Sequence, residues 1–278
     1  MLKETFKIND KDKYKLDIYI QEESPEITLS HLRPFVLVCP GGGYAMTSDR
    51  EADPIALAYL SDGFNAGVLR YSVGEDAVWP NPNVDLSNAI RIIRENADRW
   101  NTDPHKIAVC GFSAGGHLTA MQGVHWNDPE IMKRSSCHNG ENRPDAIILG
   151  YPVITSDDKT HRDSINHVLR KVIESGDRKE IARMTEYVSA EKNIGSHTPP
   201  VFIFHTCLDQ LVPVYNSLAF AAELEQHGID FEMHIFERGA HGIAMGNHTT
   251  DVQGIDFGNP DAKDWMKMSC RWLWKHFG

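Results

Sequence analysis

A serine flanked by glycines is the clearest chemical feature of this 278-residue sequence. Residues 111–115 read Gly-Phe-Ser-Ala-Gly and fit the pattern G-x-S-x-G, with Ser113 at the centre. The short apolar segment 106–110 before it is typical of a buried strand, and the small apolar residues 114–124 after it predict a helix. A sharp glycine-flanked turn between strand and helix holds a serine hydroxyl exposed as a nucleophile. We therefore predict that Ser113 is a nucleophile, the alternative being a chance match in a glycine-rich loop.

A serine hydroxyl reacts only with a base beside it, usually a histidine that a carboxylate orients. His241 is the best candidate base because it follows a predicted strand over residues 231–236 and has glycines at 239 and 242 that let the loop reach back to Ser113. A loop histidine bonded to backbone is the alternative. The competing histidines lie in a more polar segment, in the last helix or inside a strand: His248, His276 and His234.

Asp209 is the candidate acid because it lies just beyond the strand predicted over residues 201–205. There it can accept a hydrogen bond from His241 and stabilise the imidazolium. The chain order serine, acid, histidine is one in which such triads occur. Asp209 could instead cap the helix predicted over residues 214–227. The fallback acids follow an earlier strand and are Asp157 and Asp158.

Three successive glycines at residues 41–43 follow a continuously apolar strand over residues 35–39. Stabilising an oxyanion requires backbone N–H groups that converge on one point. The backbone N–H groups of Gly42 and Gly43, together with that of Ala114 near a helix N-terminus, are the candidates. A flexible loop is the alternative, and a phosphate loop is disfavoured because no G-K-[ST] or G-x-G-x-x-G pattern follows.

Strands that alternate with helices must position these groups. Alternating polar and apolar residues at 4–8 and 14–20 predict an antiparallel hairpin at a sheet edge. Later apolar runs predict strands at 64–71 and 146–151 besides those above, and helices at 51–62, from 84 to 100 and at 261–277. Residues 21–33 and 125–144 look polar and irregular. We predict an α/β fold with a doubly wound, mostly parallel sheet, in a single domain over residues 1–278.

Residues 155–197 are charged and mostly helical in pattern, with little strand character. We interpret them as a small cap-like insertion over the top of the sheet. Tyr44, Trp79 and Trp126 could wall a pocket there or pack in the core. Arg50 and Glu51 follow the glycine loop and could pair to brace it or line a substrate pocket.

The net charge of −11 argues against a nucleic-acid or anionic-membrane partner, since both require a basic surface. No run approaches 18 apolar residues, and the N-terminus lacks an apolar signal core. Five scattered cysteines form no C-x-x-C pair, and Cys39 and Cys110 are expected to be buried. A cytoplasmic location with reduced thiols is therefore expected.

Four further histidines show no metal-ligand spacing with carboxylates or thiols and are predicted to lie in solvated loops or on helix surfaces: His125, His138, His161 and His167. A serine nucleophile with a histidine base and an acid requires neither metal nor cofactor, so none is expected.

Together these motifs resemble those of a known family. Residues 40–44, 107–118, 205–214 and 231–242 are similar to the α/β-hydrolase serine carboxylesterases, and to the bacterial acetylesterase or acetylxylan-esterase-like group of the hormone-sensitive-lipase branch. Pro40 stands where many lipases have a histidine. The resemblance implies an α/β-hydrolase fold and hydrolysis of short acyl esters, often acetyl groups on sugars, through an acyl-enzyme.

Alternatives remain on the same triad. A peptidase of the prolyl-oligopeptidase type or an arylformamidase would use the same residues, although no propeller-sized N-terminal region is present. A non-catalytic ligand-binding protein could keep the fold. The expected partner is a small-molecule ester substrate, and no oligomeric state is predicted.

Overall fold

The computed structural model describes residues 1–27, 32–253 and 262–278. Part of the predicted polar connection over residues 21–33, and Asp261 at the predicted start of the last helix, lie outside the described residues. Eight strands form one sheet: β1 (Leu2–Lys7), β2 (Lys15–Ile20), β3 (Arg33–Cys39), β4 (Asn65–Arg70), β5 (Thr102–Phe112), β6 (Ala146–Gly150), β7 (Val201–Thr206) and β8 (Phe231–Phe236).

The strand order is β1-β2-β4-β3-β5-β6-β7-β8. β1 pairs antiparallel with β2, and β2 pairs antiparallel with β4, whereas all other neighbours are parallel. The mostly parallel sheet and its antiparallel N-terminal edge hairpin are therefore confirmed. The carboxyl ends of β3, β5, β7 and β8 lie at one edge of the sheet, where the residues after each strand meet.

Helices cover both faces of the sheet: α1 (Asp53–Ser61), α2 (Asn81–Glu95), α3 (Ser113–His125), α4 (Pro129–Ser135), α5 (Arg162–Ser175), α6 (Arg178–Tyr187), α7 (Tyr215–Gln226) and α8 (Trp265–Phe277). Every residue of β3 is buried, as a strand covered on both sides requires. Phe35 and Leu37 belong to one core cluster and Val36 and Val38 to the other, because successive side chains point to opposite faces. The predicted burial of Cys39 and Cys110 is confirmed.

The predicted helical character of residues 155–197 is confirmed by α5, α6 and a short 3₁₀ turn at Ala190–Asn193. α5 buries Ile165, Val168 and Leu169, which are spaced on one helical face. The Val168 carbonyl accepts a hydrogen bond from the backbone N–H of Trp79, which ties the insertion to the segment before α2.

The prediction that residues 125–144 are irregular is wrong, because this segment contains α4. Asp128 caps that helix by accepting from the N–H groups of Glu130 and Ile131, and Pro129 occupies its first turn. The helix buries few side chains, Ile131 and Ser135, so the sequence carries no apolar stripe that would reveal it.

None of the helices in the described ranges combines the length and apolar character that a bilayer crossing requires.

Candidate active site

Ser113 lies at the turn where β5 ends and α3 begins, as predicted. Its φ of 51° is in the left-handed region, which a residue other than glycine adopts only at a cost of about 1–3 kcal/mol. The segment after β6 helps to hold this backbone conformation, because the N–H of Val153 donates to the Ser113 carbonyl over 3.1 Å. Its side chain lines a cavity at the carboxyl edge of the sheet.

The two glycines of the motif allow close packing of α3 on the sheet. A Cβ on Gly111 would lie 2.2 Å from the carbonyl oxygen of Gly115. A Cβ on Gly115 would lie 2.1 Å from the carbonyl oxygen of Cys39, at the end of β3. Neither distance is possible between real atoms, so hydrogen is the only substituent that fits at these positions.

His241 reaches Ser113 from the loop after β8. Its Nε2 lies 2.9 Å from Ser113 Oγ, across 128 positions of sequence. The glycines around it have positive φ, 136° at Gly239 and 76° at Gly242, which turns the loop back over the sheet. The edge of its ring packs against Tyr151, with the ring centroids 5.0 Å apart.

Asp209 completes a continuous line of hydrogen bonds. Its Oδ2 lies 2.7 Å from His241 Nδ1, and its Oδ1 accepts from the N–H groups of Leu211 and Val212, each over 2.9 Å. Burial opposes ionisation of this fully covered carboxyl, but His205, His241 and the Val212 N–H outweigh it and hold the pKa of Asp209 well below its usual range. Asp209 does not cap α7, which begins six residues later at Tyr215.

Because the ionised Asp209 carboxylate only accepts hydrogen bonds, His241 Nδ1 carries the proton in this arrangement and Nε2 is free to accept from Ser113. The structure thus brings together the three side chains named from the sequence. The fallback acids have other partners: Asp157 accepts from the Thr155 hydroxyl and the Lys159 N–H, and Asp158 pairs with Arg162. The competing histidines also lie elsewhere. His234 pairs with Glu232, His276 bonds the Trp272 carbonyl, and His248 is exposed.

His205 is a residue of the site that the sequence reasoning missed. Its Nε2 lies 3.2 Å from Asp209 Oδ2 and donates to the Val212 carbonyl over 3.0 Å, and its Nδ1 lies 2.8 Å from Ser217 Oγ. The side chain is completely buried. A histidine at the end of an otherwise apolar strand, four residues before the candidate acid, was the signal available.

The glycine loop lies beside Ser113. Gly42 and Gly43 have φ of 128° and 63°, and a Cβ on Gly42 would lie 2.3 Å from the Met46 carbonyl oxygen. Within the described ranges, the N–H groups of Gly42 and Gly43 donate to no protein acceptor. The N–H of Ala114 is in the first turn of α3, where a helix supplies no acceptor. These three N–H groups are therefore able to donate hydrogen bonds to a ligand oxygen.

The two residues predicted to brace the glycine loop, Arg50 and Glu51, bond different loops. Glu51 Oε2 accepts from the Gly41 N–H over 2.8 Å. Arg50 instead donates to backbone carbonyls of the His241 loop, over 2.9 Å to Gly242 and 2.6 Å to Thr250.

A cavity of about 500 Å³ opens over Ser113. Its lining combines the glycine loop with polar and apolar side chains: Met46, Ser48, Arg50, Glu51, His161, Asp163, His167 and Leu211. Tyr44, Trp79 and Trp126 do not line it. Tyr44 is a core residue whose hydroxyl lies 2.8 Å from His117 Nδ1, while Trp79 packs on Tyr187 and Trp126 bonds the His197 carbonyl.

The prediction of solvated surface positions is wrong for His125 and holds only in part for His161 and His167, which are half-buried. His125 is 8% exposed, stacks on Tyr187 and donates to the Tyr187 carbonyl. His161 and His167 lie on or next to α5 and line the cavity, with His167 Nδ1 donating to the Gly43 carbonyl over 2.9 Å. Burial lowers the pKa of His161, against the opposing charge of Asp163. His125 is covered by Trp79 and Tyr187, and His167 is partly covered by packing of α5 on the glycine loop. Sequence patterns do not encode this packing. His138 is exposed as predicted.

A parallel sheet with a serine at a strand–helix turn, and an acid and a histidine on loops after later strands, defines the class of α/β hydrolases. The BD-FAE family model matches residues 16–224, and the chain belongs to this family of α/β-hydrolase esterases.

Known relatives agree with that membership. Over 223 residues, the chain is 39% identical to endo-1,4-beta-xylanase B of Butyrivibrio fibrisolvens, covering 77% of this chain and 33% of that protein. The acetyl ester-xyloside bifunctional hydrolase of Caldicellulosiruptor lactoaceticus is 32% identical, with a TM-score of 0.79 and coverage of 98% and 96% of the two chains. The carboxylesterase Cest-2923 of Lactobacillus plantarum WCFS1 is 29% identical, with a TM-score of 0.84 and coverage of 100% and 98%. The chain spans a third to a half of the length of the first curated relatives it matches.

Proposed function

We propose that this protein is a serine carboxylic ester hydrolase that cleaves short acyl esters through an acyl-enzyme intermediate. One observation carries the proposal: Ser113 Oγ, the His241 ring and the Asp209 carboxylate form a continuous hydrogen-bonded line, with distances of 2.9 and 2.7 Å, at the floor of an open cavity. Family membership and the esterases among its relatives support the same class of reaction.

In the proposed mechanism, His241 Nε2 removes the hydroxyl proton as Ser113 Oγ attacks the ester carbonyl carbon. Asp209 holds the His241 tautomer and stabilises the imidazolium that forms. The carbonyl oxygen becomes an oxyanion, and the N–H groups of Gly42, Gly43 and Ala114 are proposed to stabilise it.

His241 then gives the proton to the departing alkoxide oxygen, which leaves as the alcohol while Ser113 stays acylated. Water repeats the sequence: His241 takes its proton, the hydroxide adds to the acyl carbon, and the proton returns to Ser113 Oγ. The carboxylic acid is released and the enzyme is regenerated. Every step uses groups of this chain, the substrate and water.

We further propose that the acyl group is short, with acetyl preferred, and that the alcohol is a polar molecule such as a sugar or oligosaccharide. The polar groups His161, Asp163 and His167 border the cavity along the insertion and offer hydrogen-bonding partners for hydroxyl groups. The name of the acetyl ester-xyloside bifunctional hydrolase, which the chain matches over nearly its whole length, supports this choice.

The test is hydrolysis of p-nitrophenyl esters from acetate to decanoate and of acetylated xylo-oligosaccharides. We expect turnover that falls as the acyl chain lengthens, and release of acetate from the oligosaccharides. Ser113→Ala should lower kcat/KM by about 10⁴-fold or more, since removal of any member of a triad has an effect of that order. Ser61→Ala, at an exposed serine at the end of α1, is the matched control and should retain full activity.

A fluorophosphonate probe gives an independent measurement, because it reacts covalently with an activated serine. Labelling should occur in the wild type and in Ser61→Ala and be absent in Ser113→Ala. Folded wild-type protein that hydrolyses no ester above the Ser113→Ala background, and takes up no probe, would overturn the proposal. Equal rates for acetate and decanoate would leave ester hydrolysis intact but refute the short-chain preference.

A further inference from the structure

The side chain of Glu51 is a buried carboxylate between the glycine loop and the rest of the site. It is 4% exposed. Oε2 accepts from the Gly41 N–H over 2.8 Å, and Oε1 accepts from the Tyr151 hydroxyl over 2.7 Å. A buried carboxylate is stable only where hydrogen bonds replace its hydration, so both contacts are strong constraints.

Glu51 helps to fix the orientation of the peptide group that begins the loop. The Pro40–Gly41 peptide is held at both ends, since its N–H donates to Glu51 and its carbonyl accepts from the Tyr71 hydroxyl over 2.7 Å. The next carbonyl, that of Gly41, accepts from the Ser48 N–H over 2.9 Å. Because peptide groups are planar, these contacts direct the Gly42 N–H away from the protein acceptors.

Tyr151 links Glu51 to the loop that contains His241. Its oxygen accepts from the Ala244 N–H over 3.1 Å while its hydroxyl proton goes to Glu51. The rings of Tyr151 and His241 also pack in a T-shaped contact, with an interplanar angle of 71°. Burial and the neighbouring Glu51 raise the pKa of Tyr151 well above its usual range, so the hydroxyl stays a donor.

Both ends of the Tyr151–Ala244 contact have backbone strain. Tyr151 has φ of 36° and Ala244 has φ of 49°, and both are non-glycine residues in the left-handed region. Such conformations persist only where surrounding contacts hold them, and they concentrate at functional sites. Each residue is 1% exposed or less. The Trp265 indole N–H, which donates to the Ala244 carbonyl over 2.8 Å, adds a further restraint.

We propose that Glu51 and Tyr151 are positioning residues that couple the glycine loop to the His241 loop. Their contacts join segments 100 positions apart in sequence, and they set the distance between the N–H groups that receive the oxyanion and the imidazole that moves the proton. The proposal depends on the ester hydrolysis proposed above. Neither residue touches the reacting atoms, so both act through the groups they hold.

The experiment compares Glu51→Gln, Glu51→Ala, Tyr151→Phe and the Glu51→Ala/Tyr151→Phe double variant on p-nitrophenyl acetate. Tyr151→Phe keeps the ring that packs against His241 but removes the hydrogen bonds to Glu51 and Ala244. We expect kcat to fall about tenfold to a hundredfold and KM to change by about twofold or less, because misplacement of the two loops affects the transition state more than substrate binding. Glu51→Gln keeps an acceptor for Gly41 and a polar partner for Tyr151, so it should retain more activity than Glu51→Ala. In the Glu51→Ala/Tyr151→Phe double variant the losses should be less than multiplicative, because each of these substitutions removes the hydrogen bond between the two side chains.

The matched control is Tyr14→Phe. Tyr14 is likewise buried and donates to a carboxylate, Asp76, over 2.8 Å, but it borders a different cavity. Its loss should lower the melting temperature without changing kcat per folded molecule. Circular dichroism and thermal unfolding establish the folded fraction of every variant.

An unchanged kcat in folded Tyr151→Phe and Glu51→Ala, with only the melting temperature lowered as in Tyr14→Phe, would overturn the positioning role. Ser113-dependent turnover of the wild type would still support the proposed function in that case. A wild type without Ser113-dependent turnover or probe labelling would refute the proposed function, and the positioning role with it.

Discussion

The buried imidazole of His205 lies 3.2 Å from the Asp209 oxygen that also bonds His241. Two histidines therefore contact one carboxylate oxygen, one from the end of β7 and one from the loop after β8. Because the His205 ring is itself held by Ser217 and the Val212 carbonyl, it helps to fix the position of the Asp209 carboxylate.

Replacing His205 should weaken catalysis and stability together. In His205→Phe the ring volume is kept, but Asp209 loses a partner that favours its ionised form, and the Val212 carbonyl and Ser217 lose theirs. Loss of one hydrogen bond to a charged group corresponds to a decrease in kcat of roughly tenfold, with about 1–3 kcal/mol of lost stability. Steady-state kinetics and urea unfolding measure both.

The control for this variant is His234→Phe, which removes another histidine–carboxylate contact, to Glu232, on the half-buried edge strand β8. It should leave kcat unchanged. Wild-type kcat in His205→Phe would show that Asp209 needs no support from His205.

His117 should make the fold acid-sensitive. Its Nε2 donates to the Val188 carbonyl and its Nδ1 accepts from the Tyr44 hydroxyl, both over 2.8 Å, so the neutral ring is fully bonded. Burial lowers the pKa of His117 to about 4, although the Val188 carbonyl favours the charged form. Between this value and the unfolded value of about 6.5, the unfolded state binds a proton that the folded state lacks.

The free energy of unfolding therefore falls as the pH drops from about 6.5 to 4, by roughly 3 kcal/mol from this residue alone. Urea unfolding at several pH values measures the slope. His117→Gln should be less stable at pH 7 but should show a shallower slope, whereas His138→Gln, at an exposed histidine, should keep the wild-type slope. A wild-type slope in His117→Gln would refute the assignment.

Gly115→Ala should prevent stable folding or lower stability by about 3 kcal/mol or more, because the new Cβ would lie 2.1 and 2.4 Å from the carbonyl oxygens of Cys39 and Pro40. Both are backbone atoms, so only movement of α3 away from β3 relieves the clash. Expression yield and thermal unfolding measure the effect.

Gly176→Ala is the contrasting variant. Gly176 has φ of 70°, but nothing in the described ranges lies within 4 Å of an added Cβ. The substitution should therefore lower the free energy of unfolding by only about 1 kcal/mol, the cost of placing alanine in the left-handed region. Equal stability of the two variants would show that packing against β3 does not constrain Gly115.

Glu191 should destabilise the fold at neutral pH. Burial raises its pKa to about 7, with Asp157 and Glu223 adding to the effect and Lys192 opposing it, and its Oε2 has no hydrogen-bond partner in the described ranges. The folded state keeps a proton that the unfolded state loses above about pH 4.5, so stability decreases as the pH rises from 4.5 to 7.

Glu191→Gln removes that dependence. The free energy of unfolding of this variant should equal that of the wild type near pH 4.5 and exceed it by about 1–2 kcal/mol above pH 7, after allowance for the partial solvent access of this half-buried side chain. Glu225→Gln, at an exposed position of α7, is the control and should change little. A destabilised Glu191→Gln at pH 8 would show that the carboxylate has a favourable partner.

The order of strands and helices could be predicted because parallel strands covered on both faces must be apolar throughout, as residues 35–39 and 107–110 are. The turn at Ser113 followed from the glycine spacing together with the strand pattern before it and the helix pattern after it. α4 was missed since a short, exposed helix carries almost no apolar pattern. The burial of His125 and the partial burial of His161 and His167 were missed because they depend on how α5 and α6 lie over the sheet, and local sequence does not specify that packing.

By itself, the sequence determined which residues could act: a serine at a glycine-flanked turn, and Asp209 and His241 after successive strands. Tertiary structure decided whether they meet. The approach of Ser113 to His241 spans 128 positions, and that of Glu51 to Tyr151 spans 100. Local propensities act over a few residues, whereas such distances depend on the twist of the sheet and the packing of every helix on it. For this reason the candidate site could be named from the sequence, but the contacts that position its loops became visible only in the folded chain.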